Sequence, residues 1–502
     1  MSARPNSNRE RVTTAILRRV AIPAVFATFT ASSALYAQAQ SKATSVSKVE
    51  RLNRAPVSKE ILRVQLPRPA VVKLPNGLTI LLLEDHKLPT VTFSMWIRPG
   101  QLADPADLPG LASFTSDMLR EGTARRTSDQ IATEVDSLGA SLTATSRFGT
   151  SYSSVNASGL INDAPKVLDL MSDVVLHPAF SENELAKYKE RQEASLEERL
   201  SNPSFLAQQA FRRVIYGDAP PGVASATKES IEKVAPEDLK RFHDKHYVPS
   251  NAILGVVGDF KTADMRAEIE KYFGEWAGAP ESATAISKAA MQQAARVTLV
   301  DRPSSVQTFI IGGNRGIRRA DPEYYKLVVM NQILGGGPQA RLFLDLREEH
   351  SLTYGAYSYF NAEVYPGDWM GASPVRTPVT GEAMDRFLFE FKRINDETVP
   401  QSELEDAHRA IAAGFALSLE QPAQVLNDWL IVQHFGLPVD YWDKYPDRIA
   451  SVDAAAVQAA AKKFVDLDHM QWVCVGDRKL IQDVLAKYGP VSVVDANGRP
   501  EN

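Results

Sequence analysis

The chain repeats itself. A helical stretch, Val234–Phe242, leads to the apolar strand Ala252–Val257, which ends in Gly258-Asp259. After 218 residues the pattern returns: Val452–Phe464 leads to Gln471–Val475, which ends in Gly476-Asp477. Self-similarity on this scale restricts the chain to two copies of one folding unit. The strand Val297–Val300 near the start of the second copy is expected to play the part of Val71 and Val72 in the first. Between the copies, Ala277–Ala295 is rich in Ala, Ser, Gly and Pro, a linker composition. The expected organisation is an arm over 40–69, a first domain over 70–276, a linker over 277–295, a second domain over 296–489 and a tail over 490–502.

Local patterning gives the fold class. Val71–Leu74 and Leu78–Leu83 flank Pro75-Asn76-Gly77 and read as a hairpin, because Asn-Gly tolerates the positive φ of a tight turn. Val91–Ile97 reads as a further strand. Helices follow over Leu108–Leu119 and Ser128–Leu138, the second capped by Ser128 or Asp129. Ser141–Phe148 and Ser151–Ser158 alternate as half-buried strands, and Ala164–Leu176 and Glu182–Leu200 read as helices. The expectation is α+β: two homologous halves, each an antiparallel sheet covered by helices, facing each other across a chamber.

The first 39 residues differ from the rest. Arg4, Arg9, Arg11, Arg18 and Arg19 stand against Glu10 alone, and an apolar run from Val20 to Tyr36 ends in Ala37-Gln38-Ala39. That order is expected of a secretory signal peptide over 1–39, hence the periplasm or another exported location, with a mitochondrial presequence and the matrix as runner-up. No later stretch reaches the length of a membrane span. The net charge of -5 gives no support to nucleic-acid binding, and the single cysteine, Cys474, has no internal disulfide partner.

Several runs in order carry a family resemblance: Leu74-Pro75-Asn76-Gly77-Leu78, Gly110-Leu111-Ala112 through Met118-Leu119-Arg120-Glu121-Gly122-Thr123, Asn251 through Gly258-Asp259, and Leu334-Gly335-Gly336-Gly337 through Arg341-Leu342-Phe343. Over nearly all of Val71–Gly489 the chain resembles the pitrilysin or insulinase family of zinc peptidases, and in size the short-chain, processing-peptidase-like branch. The resemblance implies two homologous α+β halves and pairs of chains enclosing a chamber.

Active family members carry H-x-x-E-H on the first long helix, two zinc-binding histidines on one face and a glutamate that activates a bound water. Here that frame reads Ser113-Phe114-Thr115-Ser116-Asp117, so both histidines and the base are replaced. Anchoring on Asn202-Pro203 places Ser195 where the family has its third ligand, a glutamate, although Glu193, Glu197 and Glu198 lie nearby. No metal and no catalytic residue is expected in this chain alone. His243 and His246 are the one close histidine pair and read as a packed or solvated helix face. There is no G-x-S-x-G elbow, and Gly335-Gly336-Gly337 lacks the ending of a phosphate loop.

The second half departs less. Arg347 and Tyr354 match, at the same spacing, an arginine and a tyrosine that in the family reach the substrate at the zinc. A guanidinium can grip a carbonyl or carboxylate, and a phenol can donate to an oxyanion; read from the residues alone, Arg347 pairs with Glu348 or Glu349 and Tyr354 is core. Gly335-Gly336-Gly337 is either the turn that closes a helix over Asp321–Leu334 or a flexible loop at the chamber mouth. The expected function is a non-catalytic subunit of a heterodimeric metallopeptidase, binding peptide substrates beside a homologous partner that carries H-x-x-E-H and the zinc, with a homodimer open when the partner is missing. The alternative is a non-proteolytic peptide-binding or assembly protein built on the same fold.

Overall fold

The computed structural model describes residues 64–279, 294–496 and 498–499. The expected signal peptide, most of the arm and most of the linker lie outside the described residues.

The strands are β1 (Ala70–Lys73), β2 (Thr79–Glu84), β3 (Thr90–Ile97), β4 (Ser141–Ser146), β5 (Ser153–Leu160), β6 (Ala252–Gly258), β7 (Arg296–Asp301), β8 (Gln307–Arg315), β9 (Tyr357–Phe360), β10 (Asp368–Arg376), β11 (Gln471–Gly476) and β12 (Val491–Val494). They form two six-stranded sheets, ordered β1-β2-β6-β3-β5-β4 and β12-β7-β11-β8-β10-β9. The duplication is therefore real, and two expectations need correction. The sheets are mixed, because β6 runs parallel to β2 and β11 parallel to β7. Moreover β7 occupies the place of β2, not of β1. The place of β1 is taken from the other end of the chain by β12, which pairs in parallel with β7, Val491 opposite Val297, so the second domain runs past residue 489.

Burial along each strand follows from what covers its faces. In β4, Ser-Leu-Thr-Ala-Thr-Ser alternates strictly between exposed and buried, as expected of an edge strand with one open face. In β2, β6 and β11 the apolar run is continuous because both faces are covered. Ile80, Leu82, Leu254 and Val256 face the helices of the first half, whereas Leu81, Leu83, Ile253 and Val257 join the core of the second.

An exchange of helices accounts for that second layer. Helix Pro203–Tyr216, from the first half, packs on β8 and β11 of the second; helix Pro422–Phe435, from the second, packs on β2 and β6 of the first. Leu206, Phe211 and Ile215 form one cluster with Val300, Ile311, Val473 and Val475. Glycine sockets receive the two deepest knobs: a Cβ on Gly255 would lie 2.8 Å from Leu426, and one on Gly313 would lie 2.6 Å from the Phe211 ring. Each such buried side chain contributes about 1.5–3 kcal/mol, so the two halves stabilise each other. The end of the arm joins in. Leu66 is buried in the second core, the Pro67 carbonyl accepts from Trp429 Nε1 at 2.8 Å, and Arg68 pairs with Asp443 at 2.7 Å.

Helix ends follow their capping chemistry. Thr127, rather than Ser128 or Asp129, caps helix Ser128–Ser137, in a reciprocal box with Gln130. Asn202 accepts from the amides of Ser204 and Phe205, with Pro203 at the first position of helix Pro203–Tyr216. Helix Glu182–Leu200 has Glu182 and Glu184 in its first turn and Arg199 in its last, which complements the helix dipole.

Candidate functional site

The degenerate motif lies on helix Leu111–Met118, which starts after Gly110. The half-buried Asp104 carboxylate caps it, accepting from the amides of Gly110 at 2.7 Å and Ala112 at 2.8 Å. Ser116 is buried, and its hydroxyl lies 2.9 Å from that of Tyr247. Asp117 accepts a 2.5 Å hydrogen bond from the Tyr188 hydroxyl. Burial pushes the Asp117 carboxyl up to about 6, opposed by that hydrogen bond, which favours the charged form.

Ser113 and Asp117 line a cavity of about 410 Å³. Its other walls come from the end of β4 and the loop after it (Ser146, Arg147, Phe148), from Arg199, and from Phe205 and Arg212 on the exchanged helix. Arg199 donates through Nε to the Ser195 carbonyl at 3.3 Å, and its guanidinium lies 5.7 Å from the Phe205 ring centre. Arg212 is pressed over Gly149, which has φ of 83°; a Cβ there would lie 2.7 Å from its Nη2. Glycine at that position serves both the turn and the guanidinium.

These residues do not fit a zinc ion. A dication needs lone pairs converging on one point with negative charge around it. Here the Ser116 hydroxyl is taken up by Tyr247, the Asp117 carboxyl is held by Tyr188, no imidazole and no second carboxylate lines the cavity, and three guanidinium groups do. Ser195 is not among the lining residues; Arg199, one turn on, is. Glu193 and Glu197 line a separate cleft beside Asp104, and Glu198 is exposed, so no small shift of alignment brings a carboxylate to Asp117. Tyr188, Tyr247 and the three arginines carried no signal in the sequence beyond that of ordinary core and surface residues.

Arg347 and Tyr354 lie apart from this cavity. Arg347 is on a widened helical turn, Leu344–Glu349, where the His350 amide donates back to the Asp345 carbonyl at 3.1 Å. Such five-residue turns are uncommon and concentrate at functional positions. Its guanidinium lies 4.8 Å from the Phe343 ring centre, and Nε is 3.4 Å from Glu348. The Glu348 pair read from the residues alone is thus present, whereas Tyr354 is not core: it is 91% exposed. The loop that carries it is tied on both sides. Leu352 before it and Ala356 after it are buried, and the Thr353 hydroxyl donates to the Pro374 carbonyl at 2.6 Å.

The glycine run begins at the end of a helix. Gly335 ends helix Tyr324–Gly335, and its bare Cα lets the helix approach β9, where a Cβ would lie 2.2 Å from the Ser358 amide. Gly335 and Gly336 fit helix termination and close packing, and Gly337 has open space beside it. His243 is a core residue, donating from Nε2 to the Val175 carbonyl at 2.8 Å and stacked on Tyr247, and burial lowers its pKa. Among the described residues the one group able to converge on a cation is Asp345, Glu349 and His350, but Arg386 already binds both Asp345 oxygens.

Residues 79–218 match the model of the insulinase family, peptidase family M16, and residues 233–411 match that of the M16 inactive domain. The chain belongs to the M16 family. Among its relatives is a Bacillus subtilis protein, YmxG, described as an uncharacterized zinc protease, 25% identical over 78% of this chain and 95% of that one. An M16 inactive domain from Pseudomonas fluorescens superposes with a TM-score of 0.76 at 27% identity, over 82% of this chain and 98% of that one. A Helicobacter pylori protease superposes equally well, at 0.76, over 82% of this chain and 100% of that one; at 18% identity it speaks for the fold alone. The inactive-domain match lies over residues 233–411, and in the first half Ser113, Ser116 and Asp117 stand in the H-x-x-E-H frame.

Proposed function

We propose that this chain is the non-catalytic subunit of an exported, heteromeric M16 peptidase, binding peptide beside a partner that carries H-x-x-E-H and zinc. One observation carries most of the weight: the first half has arginines where a metal would need ligands, while Tyr354 stands fully exposed on an anchored loop. A large aromatic side chain presented to solvent from an anchored loop suits contact with a second molecule. Arg347, held over Phe343 with its terminal nitrogens uncommitted to Glu348, suits a substrate carbonyl. In the assembled enzyme Arg347 would orient the scissile peptide and Tyr354 would donate to the oxyanion formed as water attacks. Export to the periplasm belongs to the same proposal, resting on the Arg-rich, then apolar N-terminal sequence.

Peptide hydrolysis by the purified chain, by an M16 chain carrying H-x-x-E-H from the same cell, and by their mixture tests it. Activity that requires the mixture and falls at least tenfold with Arg347→Ala/Tyr354→Phe is expected. Hydrolysis by this chain alone, or a mixture no faster than the zinc-bearing chain, overturns it.

A further inference from the structure

Three arginines elsewhere in the fold are paired with carboxylates, whereas the buried Arg319 donates to the Tyr441 hydroxyl and lies over aromatic rings. Arg126 is bound by Asp169, Asp173 and Glu134, Arg341 by Glu403, and Arg386 by Asp345. The three around the cavity are different. Among the described residues no carboxylate lies within ion-pair distance of Arg147, Arg199 or Arg212; Arg212 makes one long bond to the Val223 carbonyl at 3.5 Å, and Arg199 spends only Nε, on Ser195. Three arginines on the lining of one cavity, Arg147 exposed and Arg199 and Arg212 half-buried, give it a positive potential that favours entry of an anion.

The cavity also presents neutral donors. The Ser146 side chain is 5% exposed, and its hydroxyl has no hydrogen-bond partner. A buried hydroxyl left unpaired is unfavourable, and a ligand oxygen would pair it. Ser113 adds a second hydroxyl on the opposite wall, and Phe148 and Phe205 supply apolar surface beside the arginines. Asp117 is the one acid on the lining, and its carboxyl is already engaged by Tyr188.

We propose that this cavity binds a peptide carboxylate, either the α-carboxylate of a chain end or an Asp or Glu side chain, through Arg199 and Arg212, with Arg147 at the entrance and Ser146 as an inner donor. The inference rests on the peptide-binding function above and names the substrate class. A planar carboxylate suits the guanidinium fork, which can present two parallel N–H groups to its two oxygens. The apolar walls suit the rest of a peptide residue, and about 410 Å³ is within the usual size of a small-ligand site. The position that holds a metal cation in zinc-bearing M16 chains would thus hold an anion here, and this subunit would select acidic or C-terminal segments for the assembled enzyme.

Calorimetric titration of the full chain with a neutral octapeptide, as free acid and as C-terminal amide, and with an amidated octapeptide carrying one Glu or Gln, tests the inference. A free acid or Glu peptide that binds at least tenfold more tightly than its neutral counterpart, with the preference abolished in Arg199→Gln/Arg147→Gln, is expected. Arg199→Lys should restore part of it, and a thermal unfolding midpoint unchanged from wild type separates lost binding from lost folding. Equal binding of charged and neutral peptides overturns the carboxylate site and leaves the subunit function standing. Binding of no peptide overturns both. Inorganic phosphate that competes better than acetate overturns the choice of a carboxylate in favour of a phosphate.

Discussion

The hydroxyl of Ser151, in the first half, lies 2.7 Å from Nε2 of His434, in the second. The same hydroxyl is 2.6 Å from Glu363, so one buried serine joins an imidazole and a carboxylate across the boundary between the halves. This is a clasp and not a catalytic triad: Nδ1 of His434 has no partner, and the carboxylate meets the serine instead of the imidazole.

The clasp is expected to weaken in acid through His434. Burial, with Arg98 adding to it, pulls the His434 pKa from its usual 6.5 to about 3. A base with a depressed folded-state pKa contributes stability above its unfolded pKa and loses it as pH falls from about 6.5 towards 3. Glu363, facing the same serine, is raised by burial and works in the opposite direction. Wild type should therefore lose about 2 kcal/mol more than His434→Gln between pH 6.5 and pH 5 in urea unfolding. An equal loss in both proteins would show that His434 is already charged in the fold.

Asp117 has the reverse sign. Its folded-state carboxyl is raised from 3.8 to about 6, so its favourable contribution is complete below about pH 4 and disappears as pH rises through 6. Asp117→Asn should gain roughly 2–3 kcal/mol relative to wild type on going from pH 4 to pH 7.5. Parallel stability curves for the two proteins would mean that Tyr188 fully compensates the buried charge.

Restoring the family motif should not restore the metal. A chain with Ser113→His, Ser116→Glu and Asp117→His still has Arg147, Arg199 and Arg212 on the cavity wall and no third ligand from helix Glu182–Leu200. Zinc measured after dialysis against micromolar metal is expected well below one ion per chain. Stoichiometric zinc in the triple variant would refute the view that the surroundings, as well as the motif, have changed.

The exchanged helices should behave as core. Leu426→Ala and Phe211→Ala each empty a glycine-lined socket and should cost about 3–5 kcal/mol. Gly255→Val should also destabilise, because its side chain would meet Leu426. Urea midpoints check all three, and a loss under 1 kcal/mol for Leu426→Ala would mean that the helix does not depend on this contact.

Tyr354→Ala, by contrast, should shift stability by no more than about 0.5 kcal/mol, since the ring is exposed. Its effect is expected in the peptidase mixture. A substantial drop in thermal midpoint would place the ring in the folded core and remove it from the site.

Most of the architecture was legible from burial periodicity. Ser-Leu-Thr-Ala-Thr-Ser announces a strand with one wet face, and Ala-Ile-Leu-Gly-Val-Val-Gly one with two dry faces. What covers the second face was not legible. Helix Pro422–Phe435 follows β6 at a distance of well over a hundred residues and buries Val425, Leu426, Asp428, Trp429, Leu430 and Val432 around most of its circumference, so it points to no single partner. At the site, the loss of the zinc frame was plain because a motif either has its ligands or lacks them. The cationic replacement was hidden, since Arg199 reads as an ordinary charge near a helix end and Arg147 as a loop residue. Only the fold brings them to the same cavity.

Because β12 supplies the edge of the second sheet, that sheet is completed last during synthesis. While the ribosome is still translating towards residue 491, β7 has β11 on one side at most and an unpaired row of amides and carbonyls on the other. The first sheet has no such delay at its edge, since β1 is made before β2 and closes on it as a hairpin. Its deeper partner, helix Pro422–Phe435, still arrives late, so the nascent first half carries the bare face of β2 and β6 through the translation of more than 160 further residues. A chain of this design needs its apolar faces shielded until translation is nearly finished, so its two halves reach their folded state together and not in turn.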